Sequence, residues 1–146
     1  MIAIINGPNL NLLGKREPEI YGNTSFEEFL HGLRQEFPEV PLQYFQSNSE
    51  GEIIDHIHKL GFDNPECKGI VINPGAYSHY SYAIADAIGA INLPVVEVHI
   101  SNIMKREGFR HQSVTAPVCS AMLTGFGLKG YTLAVSYLLN SPLHKK

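Results

Sequence analysis

A small set of residues has the types and spacing for proton transfer. Glu97 and His99 stand two apart at the end of an apolar run, VVEVH. Residues i and i+2 of a strand share a face, so the carboxylate can orient the imidazole and favour its protonated form. A histidine held in that way suits general acid chemistry. Ser101, Arg106 and Arg110 follow along the chain. A second polar run, NPGAYSH, begins at Asn73 and ends at His79. A third contains Asn9, Arg16 and Tyr21. The set offers histidines, asparagines, arginines and a tyrosine, with no cysteine and no cage of carboxylates. It is poorly suited to a metal. It suits an anionic, hydroxylated small molecule.

The third run belongs to one long connection, Asn6 to Gly22, with three glycines, two prolines and three asparagines. It shows neither helical nor strand periodicity. Connections of that length in a compact domain are usually functional.

These residues need a scaffold that brings them together. Five strand-like runs alternate with helix-like ones. The strands are expected at Met1 to Ile5, Leu42 to Gln46, Gly69 to Asn73, Val95 to His99 and, more weakly, Val118 to Leu123. Ser25 with Glu28 and Ser49 with Glu52 have capping-box spacing. The first opens a helix through Phe37. The second opens one with Ile53, Ile54, Ile57 and Leu60 on one face and Gly61 as its stop. Ser81 to Ala90 and Tyr131 to Asn140 complete the helices. Alternation of this kind gives a parallel sheet with helices on both faces. The expected architecture is α/β, a flavodoxin-like three-layer sandwich with a five-stranded sheet in the order 2-1-3-4-5. Ligands of such sheets sit beyond the carboxyl ends of the strands, at the switch between strands one and three. The polar residues above all fall there.

Composition narrows the function further. A chain of 146 residues with 44% hydrophobic content is expected to form a single domain, 1–146. The net charge of -3 and the lack of a basic run speak against nucleic acid. No signal-peptide layout is visible and no apolar stretch is long enough to span a bilayer. Cys67 and Cys119 form no CxxC and are read as reduced thiols of a cytoplasmic protein.

The blocks Asn6–Gly22, Gln46-Ser47-Asn48 with Glu50-Gly51, Asn73–His79, and Glu97–Asn102 with Arg110 together resemble type II 3-dehydroquinate dehydratase, in order and over almost the whole chain. The resemblance implies a hydro-lyase of the shikimate pathway. It would remove water from 3-dehydroquinate through an enolate to give 3-dehydroshikimate, without metal or organic cofactor. It also implies a homo-oligomer, a dodecamer built from trimers. By resemblance, Tyr21 is the general base and Arg16 the cation that holds it as phenolate. Asn9 holds a water against the enolate oxygen, and His99 is the general acid. Asn73, His79, Ser101, Arg110 and the backbone at Ile100 bind substrate. Arg106 closes over the site, and Asp86 is lent by a neighbouring subunit. The proposed base is physically reasonable. Tyrosine normally ionises near a pKa of about 10, so phenolate at neutral pH requires roughly 4 kcal/mol. One cation at about 4 Å supplies roughly that at an effective dielectric of about 20.

The competing reading is a non-catalytic flavodoxin-like module for flavin or a phosphorylated ligand. Its first loop would be rich in glycine and hydroxyls to cradle phosphate; this loop carries Arg16 and Tyr21 instead. Gly125 to Gly130 matches GxGxxG, but it follows the last strand and no acidic residue comes after it. Tight turning and close helix packing explain those glycines better. His56 and His58 diverge on a helix, and His31, His111 and His144 read as solvated surface.

Overall fold

In a computed structural model of the chain, residues 1–141 are described; His144 lies outside them. Five strands form one sheet: β1 Ile2–Asn6, β2 Leu42–Gln46, β3 Gly69–Asn73, β4 Val95–His99 and β5 Ala121–Thr124. All neighbours are parallel, in the order β2-β1-β3-β4-β5. That is the expected doubly wound order. The helices are α1 Pro18–Tyr21, α2 Phe26–Glu36, α3 Glu50–His58, α4 Tyr82–Ala90 and α5 Lys129–Asn140.

The period of two along β1 divides the core. Ile2 and Ile4 join Phe26, Leu30 and Leu33 of α2 and Tyr131, Val135 and Leu138 of α5 on one face. Ala3 and Ile5 join Ile53 and Ile57 of α3 and Ile84 and Ile88 of α4 on the other. Both faces of the sheet are covered, so the central strands β1 and β3 are apolar up to their terminal asparagines. At the start of α2 the capping box is closed both ways: Ser25 Oγ accepts from Glu28 N, and the Glu28 carboxylate accepts from Ser25 N. At α3 only half of the box forms. Ser49 Oγ accepts from Glu52 N, but the Glu52 carboxylate turns to the Ser47 hydroxyl.

Several boundaries differ from expectation for identifiable reasons. Gly61 does not stop its helix; α3 runs on into a π-helical turn, Lys59–Asp63. A Cβ at position 61 would collide with the Ile91 side chain, so this glycine serves helix packing. The fifth strand starts at Ala121 because Ala116–Val118 forms a 3-10 turn around Pro117, which has no N–H for a ladder. The last helix begins two residues early, at Lys129. The long connection is not devoid of regular structure: Leu10–Leu12 is a 3-10 turn and α1 is a single helical turn beginning with proline. No helix among the described residues is long and apolar enough to cross a membrane.

The long connection leaves the sheet by a close approach of two backbones. Gly7 N donates to Asn73 O at 2.7 Å. A Cβ at position 7 would stand 2.5 Å from the Pro74 carbonyl oxygen. Neither backbone can yield without moving a strand end. Gly7→Ala is therefore expected to lower stability by about 1–3 kcal/mol and to reduce activity. Urea unfolding beside a rate measurement checks this; parental stability would refute the close approach.

Candidate active site

The carboxyl ends of β1, β3 and β4 open into one pocket. Asn9, Arg16 and Tyr21 line it from the long connection, Asn73 from the end of β3 and His79 from the segment after it, and His99 from the end of β4 with Ile100, Ser101, Arg106 and Arg110 from the segment that follows. The sheet thus brings together nearly all the residues singled out in the sequence. Glu97 lies behind His99, fully buried. Asp86 is exposed on α4 and does not line this pocket within the chain.

One side of the pocket gathers cations around a phenol. Arg106 Nη1 donates to Tyr21 Oη at 3.2 Å and to Ser101 Oγ at 3.1 Å. Its hydrogen bond to Tyr21, ahead of the opposing effect of burial, raises the guanidinium above the ordinary arginine range. Arg16, expected beside the phenol oxygen, is engaged elsewhere. Its Nε and Nη2 both donate to Glu17 Oε2, at 3.1 and 3.0 Å. Its guanidinium carbon lies 5.9 Å from the Tyr21 ring centroid, as does that of Arg106. Both cations flank the ring, but Arg106 is the one that contacts the phenol oxygen. The adjacent Glu17 carboxylate holds Arg16 at 3.0 Å, whereas the Glu107 carboxylate beside Arg106 stands farther off, at 3.6 Å.

The opposite side is a hydrogen-bonded acid. His99 Nε2 meets Glu97 Oε1 at 2.6 Å. Ser113 Oγ donates to the same oxygen at 2.8 Å, and Thr115 Oγ1 donates to Oε2 at 2.6 Å. A buried carboxylate without such partners would be costly. With Nε2 turned to Glu97, Nδ1 is the ring nitrogen of His99 left for a substrate. His79 is held the other way round, its Nδ1 donating to the Gln112 carbonyl at 2.9 Å. That leaves Nε2 as its free atom. The two rings stack with centroids 6.4 Å apart.

The pocket floor is equally fixed. Asn73 Oδ1 accepts from Gly75 N, and Asn73 Nδ2 donates to the buried Tyr131 hydroxyl. Asn9 takes a left-handed backbone, φ 68, and its N donates to Asn48 Oδ1 at 3.0 Å. Gln46 Nε2 donates to that same oxygen and to Gly7 O. The Gln46-Ser47-Asn48 block thus supports the long connection from below. Arg110 is paired with Glu107 at 2.8 Å.

Ser113, Thr115 and Tyr131 escaped the sequence reading. Ser113 and Thr115 do carry a readable signal, two hydroxyls at a spacing of two, but nothing local says that they pass Glu97. His111 is exposed as expected, yet its Nε2 donates to the Arg106 carbonyl at 2.9 Å. His56 stacks on Phe45, centroids 4.1 Å apart, and burial, then Lys59, lowers its basicity. Among the described residues no group of three or more His, Cys, Asp or Glu is placed to hold a metal ion.

Known proteins are similar to this chain over nearly its whole length. A family model described as dehydroquinase class II matches residues 1–139. A 3-dehydroquinate dehydratase of Caldicellulosiruptor bescii is 54% identical over 136 residues, covering 92% of each chain. One from Bacillus licheniformis is 51% identical over 142 residues, covering 96% of each. The crystal structure of type II dehydroquinase from Butyrivibrio crossotus superposes with a TM-score of 0.91 at 48% identity, covering 95% of this chain and 97% of that one.

The donors on Glu97 can be tested without touching the pocket. Thr115→Val keeps the shape and removes one donor from a buried carboxylate. It is expected to cost about 1–3 kcal/mol of stability, read by urea unfolding at neutral pH. Unchanged stability would show that the carboxylate does not depend on this hydroxyl.

Proposed function

The chain belongs to the dehydroquinase class II family, and we propose that its pocket divides the dehydration of 3-dehydroquinate between a tyrosine base and a histidine acid. The reaction itself, elimination of water to 3-dehydroshikimate in the shikimate pathway, is that of the family. The reading of a non-catalytic flavin or phosphate module is set aside. Tyr21, as phenolate, takes the proton beside the ketone. The electron pair left behind forms an enolate, and Asn9 holds a water against its oxygen. The enolate collapses, the bond to the β-hydroxyl breaks, and His99 gives that oxygen the proton from Nδ1. The hydroxyl leaves as water. Glu97 holds the imidazole from Nε2 and so aims Nδ1 at the substrate. Asn73, His79, Ile100, Ser101 and Arg110 bind the substrate's carboxylate and hydroxyls. No metal or organic cofactor takes part, and the enzyme works in the cytoplasm.

The single observation that carries this reading is the Arg106–Tyr21 contact facing the Glu97–His99 pair across one pocket. A cation on the phenol oxygen favours phenolate. Arg106 supplies the direct contact, and Arg16 adds a second positive charge beside the ring. Ultraviolet absorption of the conjugated product gives the test. Tyr21→Phe should lose about 10²–10⁴ in rate. Removing the cation should also lower the rate, further in Arg106→Ala than in Arg16→Ala. No product from the parent enzyme would end the reading; a larger loss in Arg16→Ala would return the leading role to Arg16.

Subunit assembly completes the proposal. Asp86 is exposed on α4, and Tyr80 and Tyr82 beside it are 60% and 70% exposed. Exposed aromatics of this kind are strong interface anchors. We assign this face to contacts in trimers, four of which make a dodecamer, with Asp86 reaching a neighbour's pocket. Light scattering should find the assembly; a fully active monomer would refute the shared site.

A further inference from the structure

We infer that Tyr131 is a positioning residue for substrate binding: its hydroxyl fixes the amide of Asn73 so that one N–H is kept for a substrate oxygen. The inference rests on the reading of Asn73 as a substrate ligand and extends it to a residue of the last helix.

Asn6 and Asn73 are register partners at the ends of β1 and β3. Tyr131, fully buried on α5, places its oxygen between them. It donates to Asn6 Oδ1 at 2.7 Å and accepts from Asn73 Nδ2 at 3.0 Å. A phenol has one proton, and here Asn6 takes it. Burial, above all, disfavours ionisation of this phenol, so the proton stays. Toward Asn73 the oxygen can then only accept.

The other end of the Asn73 amide is fixed independently. Its Oδ1 accepts from Gly75 N at 3.1 Å, and a backbone N–H can only donate. Turning the amide over would set N–H against N–H at Gly75. It would also set oxygen against an oxygen whose proton is already used. One orientation survives. In it, Nδ2 has one N–H on Tyr131 and one remaining, and Asn73 lines the pocket. The amide is thereby made a donor in advance, which suits a carboxylate or hydroxyl oxygen. Asn6 is held in turn by its Nδ2 donating to Tyr44 Oη at 3.4 Å.

The Tyr131 ring is pinned without its hydroxyl. It meets Phe26 edge-on at 5.0 Å and Phe29 at 5.8 Å between centroids. Tyr131→Phe therefore removes the oxygen and keeps the ring. We expect KM for 3-dehydroquinate to rise about fivefold, with kcat near the parental value. A double-mutant cycle with Asn73→Ala separates positioning from general loosening. In the Asn73→Ala background, Tyr131→Phe should raise KM no further. Should Asn73→Ala fail to fold, Asn73→Ser, which also removes the amide nitrogen, takes its place. Unchanged KM in Tyr131→Phe, with KM raised by the Asn73 substitution, would overturn the inference and leave the Asn73 reading standing. Unchanged KM on substituting Asn73 would overturn both. Independent effects of the two substitutions would show that Tyr131 acts by loosening the fold, and would likewise overturn the inference.

Discussion

Parallel pairing of β1, β3 and β4 is the constraint on which the site depends. It sends every strand toward the same edge, so the residues that end the strands become neighbours whatever their distance in sequence. Asn6 and Asn73 are direct register partners, and Ile72 pairs with Glu97. The strands are apolar until these ends. There the sequence turns polar at Asn6 and Asn73, while β4 admits Glu97 and His99 on one face. Buried polar groups must find partners. The partners found at this edge are Tyr131, Gly75 N, Ser113 and Thr115. The same requirement that satisfies the strand ends also orients the side chains facing the pocket.

The two sides of the pocket meet that requirement differently. Glu97 is wholly desolvated and carries three hydrogen bonds, from His99, Ser113 and Thr115. Breaking such a group is expensive, so the acid side is rigid. Arg16 and Glu17 each keep 38% of their side-chain surface in water. Exposed pairs of this kind contribute about 0–1 kcal/mol. Arg106 is only 13% exposed and sits closer to the buried extreme. The phenol is therefore flanked by one firmly placed cation and one weakly held. The weakly held one belongs to a connection whose backbone includes a non-glycine residue, Glu17, at positive φ.

Legibility in the sequence followed the range over which a signal is local. The strand order came through because strand and helix periods are local and the topology rules are strict. Glu97 with His99 came through because two residues on one strand share a face. What was hidden required a partner from far away. Ser113 and Thr115 reach Glu97 over 16 and 18 residues, and Tyr131 reaches Asn73 over 58 and Asn6 over 125. Irregular backbone carries no period by which such meetings could be foreseen. The choice between Arg16 and Arg106 was hidden for another reason. Both are cations near one phenol, each followed in sequence by a glutamate, and sequence does not say which reaches the oxygen. Gly61 misled because a glycine at a helix end and a glycine under a neighbouring Ile91 look the same in sequence.

The glycine run before α5 shows how a familiar fingerprint can serve packing. Gly125 has φ +88, and a Cβ there would stand 2.9 Å from the Cβ of Asn102. Its N–H donates to the His99 carbonyl, and that of Gly127 donates to the Ile100 carbonyl. These amides face the end of β4, where a phosphate-binding turn would leave them for a ligand. Gly130 would place a Cβ 3.1 Å from Val98 Cγ1, so the first turn of α5 lies close on β4. The next residue is Tyr131. A helix displaced outward by side chains at these positions would carry the Tyr131 hydroxyl away from Asn6 and Asn73. The glycines therefore act on the pocket through distance: they let the last helix approach closely enough for one buried oxygen to bridge two strand ends.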